Sequence, residues 1–339
     1  MKTAPDILFH RYFQQLPPYW KDIYRGKQDL DLVEQPVQDL LRAIQTKLNV
    51  ALRNERQDVP EHVPHPPFHL DFIDSADANA LAFIEGSYSF IGITVALIRR
   101  IWEICLPMSK SAEIATLLGL QLDTTQRQLE FHAVLFRMQL YFVTTHEYTH
   151  IVHGHTTGST ADSRFANEID SSGENCNIDT QVLEVDADKY AAYHVLLNLY
   201  ADERAHVLAL LKLDANSPDL QDKALLVCFV LSVGTFLFVR PTKFLTPTNI
   251  YALCHPPQAA RMDFIMKATV DWCRQNRQAL ADWMSPEVFD SIMSTLAYVT
   301  PGAYAGQGWE AQTAFLQTEI GKTYMKTLAT KLNQYIQAL

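Results

Sequence analysis

The stretch THEYTH, residues 145–150, holds two histidines four apart, with a glutamate directly after the first. On an α-helix, residues four apart lie about 40° apart around the axis, so His146 and His150 can direct their imidazoles toward one cation. Glu147 is rotated by one further residue, from where its carboxylate can reach a water molecule beside the cation. The spacing therefore predicts two metal ligands and a general base, the arrangement of the H-E-x-x-H zinc motif.

A chance arrangement on a helix surface is the alternative, since the chain has 12 histidines. The motif is preceded by MQLYFVTT (138–145, whose last threonine begins the motif) and followed by IV (151–152). Both stretches are largely apolar, which predicts a buried helix. Buried imidazoles and a buried carboxylate are costly unless they have partners. We therefore favour a zinc site.

A third protein ligand is expected in QVLEVDADKYAAY, residues 181–193. Glu184 and Asp188 are four apart on a predicted helix and share a face, so one can bind the metal while the other accepts a hydrogen bond from a histidine ring. We assign the metal to Glu184 and the supporting contact to Asp188. Asp186 is predicted to lie on the solvated face.

Two further histidines, His153 and His155, follow the motif closely. A fourth protein ligand would close the coordination position that a catalytic zinc keeps open for water, so both are left out of the ligand set. For His155, a supporting contact at the site and a place on the surface are equally compatible with the sequence.

These residues must be positioned by two helices, predicted at 124–153 and 179–200. Thr124 or Thr125 can cap the first helix, and Gly154 suits its end. Ahead of them, residues 79–106 predict a strand, a turn at 85–87 and a second strand, followed by a helix that begins near Ala96. Apolar spacing predicts further helices at 29–57, 202–213, 219–239, 257–280 and 308–337. Residues 58–70 are predicted to be an extended connector. Residues 156–178 are predicted to be an acidic surface loop that covers the cleft.

Composition excludes some classes of function. The net charge is −10 and no run of Lys or Arg is present, so nucleic acid is excluded as a partner. Five cysteines without a C-x-x-C argue against a disulfide framework and against a thiolate zinc site. The N-terminus lacks the apolar core of a signal peptide. Together these features predict a soluble cytoplasmic protein in a reducing compartment.

One stretch bears on membranes. Residues 224–239 (ALLVCFVLSVGTFLFV) carry no charge but are shorter than the ~20 residues of a membrane span, which favours a buried helix. Superficial membrane association remains an alternative.

Four segments in order give the chain a family resemblance. HEYTHIVHGH (146–155) followed by EVDAD (184–188) resembles the gluzincin metallopeptidases of the HtpX and CAAX-prenyl-protease type, whose pattern is HExxH and then E-x-x-A-D. NALAFIEGSYSFIGITVALI (79–98) is similar to the family's segment ahead of the active-site helix. HPPQAARM (255–262) is similar to its segment after the metal helices.

The chain also departs from that family. It lacks the clear membrane spans of the membrane members, and the family's GLL is ALI at 96–98. The phage-exclusion peptidases of bacteria, soluble HExxH proteins that cleave a host translation factor, are a second group that it resembles. The motifs do not decide between the two groups.

The resemblance implies an α+β, mostly helical fold: a zincin-like core with a small β-sheet or hairpin ahead of the active-site helix. We expect helical segments and the connector at 1–70, the peptidase core at 71–265, and C-terminal helices packed on it at 266–339. The implied ligands of Zn2+ are His146, His150 and Glu184, with Glu147 as the base.

The resemblance also places His255 or Arg261 near the metal. We assign His255 to stabilisation of the oxyanion, and Arg261 to the support of Asp188 or another carboxylate. An extended peptide substrate is expected to pair with strand 88–95 as an edge strand. The predicted function is a zinc-dependent endopeptidase. The alternatives are a metal-stabilised binding or regulatory protein without turnover, and a membrane-associated maturation or quality-control protease.

Overall fold

The computed structural model describes residues 5–55, 67–156, 177–213, 217–237, 245–300 and 308–338. The connector residues 56–66 and the loop residues 157–176 lie outside this part. The strands are β1 (Phe68–Ile73), β2 (Ala80–Glu85) and β3 (Tyr88–Thr94). The α-helices are α1 (Pro5–Gln14), α2 (Pro18–Ile23), α3 (Gln35–Glu55), α4 (Val95–Lys110), α5 (Ala112–Leu118), α6 (Thr125–Val152), α7 (Ile178–Ala201), α8 (Arg204–Leu211), α9 (Pro218–Leu237), α10 (Gln258–Asn276), α11 (Gln278–Trp283), α12 (Pro286–Val299), α13 (Trp309–Leu316) and α14 (Glu319–Ala338). The expected mostly helical α+β class is confirmed.

A three-stranded sheet lies ahead of the motif helix, in the order β1-β3-β2. The hairpin of β2 and β3 is antiparallel and turns at Gly86, whose φ of 63° suits a residue without a Cβ. Thr94 ends β3 and caps α4, because its hydroxyl accepts a hydrogen bond from the Leu97 N–H at 3.1 Å. The predicted strand, turn, strand and helix are therefore confirmed.

Two expectations about the sheet are wrong. β1 begins within the predicted connector and continues into residues for which the sequence predicts no element, because its parallel pairing with β3 leaves no local signal in the sequence. Strand 88–95 was expected to be a free edge. β3 is instead the central strand, paired along its length with β1 on one side and β2 on the other. Its main-chain groups are occupied, and the outer edges of the sheet belong to β1 and β2.

Helix α6 lies at the centre of the fold and packs against α4, α7, α9 and β2. Thr124 caps its start by accepting from the Arg127 N–H at 3.2 Å, as predicted. Although most of its C-terminal half is buried, the hydroxyls of Thr144, Thr145 and Thr149 each donate to the carbonyl four residues earlier. These three buried hydroxyls are thereby satisfied without interrupting the helix. Gly154, with a φ of 73°, follows its end.

Helix α9 is the one described helix that is long and apolar enough to cross a membrane by length and composition. Its most apolar window is 78% buried inside the protein, and the helix packs on α6. The prediction of a buried helix at 224–239 is confirmed for the residues up to 237.

The thiols follow the sequence expectation in part. Cys105, Cys228 and Cys273 are free and buried. Cys254 is disulfide-bonded, so the cysteines are not all reduced as the expected reducing compartment implies.

Two helices predicted near the C-terminus are each divided into two shorter helices. Segment 257–280 divides into α10 and α11 at Arg277, whose backbone leaves the helical region (φ −155°, ψ 70°). Segment 308–337 divides into α13 and α14, where the Thr318 hydroxyl accepts from the Gly321 N–H at 3.1 Å. Whether the boundaries at 70 and 265 separate domains stays a prediction.

A buried glutamine connects α7 with the segment that leads to α10. The Gln181 side-chain amide donates to the carbonyls of Ile250 at 2.9 Å and Leu253 at 2.7 Å, and its oxygen accepts from the Tyr324 hydroxyl at 2.5 Å. Three parts of the chain, α7, α14 and the loop before His255, are held in register by this one side chain.

We expect Gln181→Leu to lower the free energy of unfolding by at least about 2 kcal/mol, because it leaves two carbonyls and a hydroxyl buried without partners. Denaturant unfolding measures this loss. Gln139→Leu is the matched control, since that side chain is also fully buried but its Oε1 has no hydrogen-bond partner. An equal loss in both variants would contradict a specific role for Gln181.

Candidate metal centre

The motif histidines face each other on the buried side of α6. The Nε2 atoms of His146 and His150 are 3.1 Å apart. Two nitrogens bound to one tetrahedral zinc at 2.0–2.1 Å lie about 3.3 Å apart, so the observed separation is that of two ligands of one ion. His146 is 5% exposed and lies within the core rather than on a surface face.

Glu184 reaches the same point from α7. Its Oε2 is 3.4 Å from the Nε2 of His146, and its Oε1 is 3.5 Å from the Nε2 of His150. The Oε2 atom is fully buried and makes no hydrogen bond with the described residues, which is unusual for a carboxylate oxygen. One ligand atom from each of the three residues lies within 4.8 Å of the others. Their chemistry and spacing fit a divalent metal ion, and these residues could hold one.

The position of Glu184 follows from the way α7 begins and packs. Asn177 caps the helix, with its side-chain oxygen accepting from the N–H groups of Asp179 and Thr180. From that start, α7 lies along α6 in the most extensive helix contact of the described structure. The third ligand is therefore fixed by helix packing, although it is distant from the motif in sequence.

Asp188 supports the site from the next turn of α7. It is fully buried, and its Oδ1 lies 3.0 Å from the Nδ1 of His146. Arg261 on α10 donates to both of its oxygens, from Nε and from one terminal nitrogen, each at 2.7 Å. This two-point ion pair compensates the buried carboxylate and orients it toward the histidine ring.

The pKa values of the site reflect the same contacts. Burial lowers the pKa of His146, but its close contacts with the carboxylates of Asp188 and Glu184 raise it to about 10. Burial holds the pKa of His150 well below its ordinary value. Burial raises the pKa of Glu184, yet the imidazoles of His255 and His150 outweigh it, so this pKa lies well below the usual range.

Glu147 and His255 line a small cavity beside the ligands. The cavity measures about 40 Å3, and Arg261, Phe236 and Leu237 are among its other walls. Glu147 is 4% exposed, and the Nε2 of His255 lies 3.2 Å from Glu184 Oε2. A volume of this size admits a water molecule beside the carboxylate of Glu147. The structure thus brings together all the predicted site residues, three from α6 and the others from α7 and α10 with its preceding loop.

One sequence expectation fails near the site. Asp186 is not solvated but 5% exposed, between His153 at 2.5 Å and His155 at 3.2 Å. His153 and His155 lie with Asp186 in a second cluster, apart from His146, His150 and Glu184. The sequence analysis likewise left them out of the ligand set. The pattern H-x-x-H-x-H, which continues the motif, was the available signal for this second cluster, but its carboxylate partner could not be chosen from sequence.

Comparison with protein-family models, with curated proteins and with solved structures found no match to this chain.

Asp188→Asn is expected to weaken metal binding about 10–100-fold, because the neutral amide no longer fixes the charge and orientation of His146. Metal affinity measured by competition with a chelator tests this. Asp179→Asn is the matched control on the same helix, since Asp179 is exposed and forms an ion pair with Lys331, far from the metal ligands. Equal affinities in the Asp188 and Asp179 variants would exclude the supporting role.

Proposed function

We propose that the protein is a zinc-dependent endopeptidase of the gluzincin type with a zincin-like core. The observation that carries the proposal is the convergence of His146, His150 and Glu184 beside Glu147 in a buried site. A buried general base next to three metal-ligand side chains can activate water for hydrolysis. Without such a role, burying this carboxylate would only lower the stability of the fold. Zinc suits this set of two imidazoles and one carboxylate, which leaves a coordination position open.

A bound zinc ion would supply Lewis acidity toward water and toward the scissile carbonyl. Glu147 accepts the proton of the attacking water and delivers it to the leaving amine, since it is the carboxylate of the cavity that no ligand role occupies. His255 lies at the same cavity and donates a hydrogen bond to the oxyanion. Arg261 is committed to Asp188, so we assign it to positioning rather than to the oxyanion.

The substrate we propose is a peptide in an extended conformation that lies along β2. Ala80, the first residue of β2, lines the cavity together with His146 and Glu147. Among the described residues, only β3 pairs with β2, so its outer edge can accept another strand through main-chain hydrogen bonds. The edge strand of the proposal is therefore β2 in place of residues 88–95.

The cavity beside Glu147 is too small to hold a substrate side chain. Small-molecule pockets usually enclose about 300–1,000 Å3, whereas this cavity encloses about 40 Å3. We therefore propose that the cavity widens when a peptide binds. Phe236 and Leu237, at the C-terminal end of α9, are among the apolar residues that line the cavity.

Two alternative functions make different predictions from a soluble peptidase. A metal-stabilised binding protein would hold the ion without cleaving any peptide. A membrane-associated protease would need α9 outside the core, and the burial of this helix argues against it. Recovery of the protein in the soluble fraction without detergent would exclude the membrane-associated protease. We propose a cytoplasmic location.

Glu147→Gln is expected to lower peptide cleavage about 10²–10⁴-fold while metal content stays unchanged, because the amide cannot accept the proton. Chelator-sensitive cleavage of a peptide library, with zinc content measured on the same sample, provides the test. Glu130→Gln on the same helix is the control and retains activity. Full activity in Glu147→Gln would eliminate this residue as the base. Zinc binding without cleavage by the wild-type protein would favour the binding-protein alternative.

A further inference from the structure

His155 lies directly against the metal ligand His150. The Nδ1 atoms of the two rings are 2.9 Å apart, and the His155 side chain is 2% exposed. The chain reverses at Gly154, where φ is 73°, and the Thr156 N–H donates to the His150 carbonyl at 3.3 Å. This turn returns His155 to the side of α6 where His150 points.

Two ring nitrogens at this distance can share only one hydrogen. A histidine that binds a metal ion through Nε2 carries its proton on Nδ1. For His150 that proton points at the Nδ1 of His155, which must then be an acceptor. The proton of a neutral His155 consequently resides on its Nε2.

Asp186 stabilises this tautomer of His155. Its Oδ2 is 3.2 Å from the Nε2 of His155, so the carboxylate charge favours a proton on that nitrogen. The contact is an electrostatic one, because its direction is poorer than a hydrogen bond requires. Asp186 is itself held by the Nδ1 of His153, at 2.5 Å from the same oxygen.

We propose that His155 and Asp186 are positioning residues for the metal ligand His150. His155 accepts the proton of His150 and holds the ring with Nε2 directed at the metal, and Asp186 selects the required tautomer of His155. The inference rests on the proposed function in one respect, that a metal ion is bound by His150. Each motif histidine then has a buried carboxylate behind it: Asp188 contacts His146 directly, and Asp186 acts on His150 through His155.

A second metal ion at the outer cluster is the competing interpretation. One ligand atom each from His153, His155 and Asp186 lies within 4.8 Å of the others. If both sites were filled, the rings of His150 and His155 would each carry a proton on Nδ1, and two donors would face each other at 2.9 Å. In addition, the separation of 2.5 Å between His153 and Asp186 is that of a hydrogen bond rather than of two ligands of one ion.

Two substitutions of nearly equal shape test the proposal. His155→Asn retains an acceptor near the position of Nδ1, whereas His155→Leu has none. Co2+ and Zn2+ are the probes, with affinity measured by chelator competition and the ligand field by visible absorption of the Co2+ form. We expect His155→Leu to lose about 10–100-fold in affinity and to change the Co2+ spectrum, with His155→Asn within about threefold of wild type. Asp186→Asn is expected to lose affinity to a smaller extent than His155→Leu.

The controls separate this proposal from others. His132→Leu removes a buried histidine that bonds the Trp102 carbonyl, so it lowers stability but leaves metal affinity unchanged. Unchanged affinity and spectrum in both His155→Leu and Asp186→Asn would overturn the proposal while leaving the proposed function intact. Two Co2+ ions per wild-type chain and one in His155→Leu would overturn it in favour of a second metal site. No metal binding by the wild-type chain would overturn both proposals. If His155→Leu does not fold, Asp186→Asn supplies the same comparison.

Discussion

The packing of α6 against α7 is the interaction on which the rest of the site depends. It carries the pair of imidazoles on one helix to the carboxylate of Glu184 on the other, with the ligand atoms within 4.8 Å. Neither helix could keep these groups buried alone, because each would hold uncompensated polar or charged atoms in an apolar setting. The site can therefore form only when the two helices are in close contact.

Charge compensation explains the arrangement around that contact. Within two turns, α7 buries three carboxylates, those of Glu184, Asp186 and Asp188. Such a cluster is destabilising unless each member has a partner of opposite charge or a hydrogen-bond donor. Asp188 has Arg261, Asp186 has two histidines, and Glu184 has imidazoles but an oxygen without a hydrogen bond. The incomplete satisfaction of Glu184 is what a cation would correct.

The sequence predicted the parts of this site that are local. The spacing of His146 and His150, the capping of α6 by Thr124 and the hairpin before α4 are read from neighbouring residues and from turn chemistry. Glu184 could be predicted as a ligand from the sequence because it shares a helical face with Asp188. The solvated position expected for Asp186 failed because a helix buried on nearly all sides has no polar face to predict. The sequence did not predict β1 or its parallel pairing with β3, because contacts between distant segments leave no periodic signal.

X-ray absorption at the zinc edge of the purified full-length protein tests the central claim most directly. The account predicts one zinc per chain with a nitrogen and oxygen shell alone, from two imidazoles, one carboxylate and a solvent oxygen, at about 2.0–2.2 Å. Sulfur in that shell, or no bound transition metal in folded protein, would contradict it.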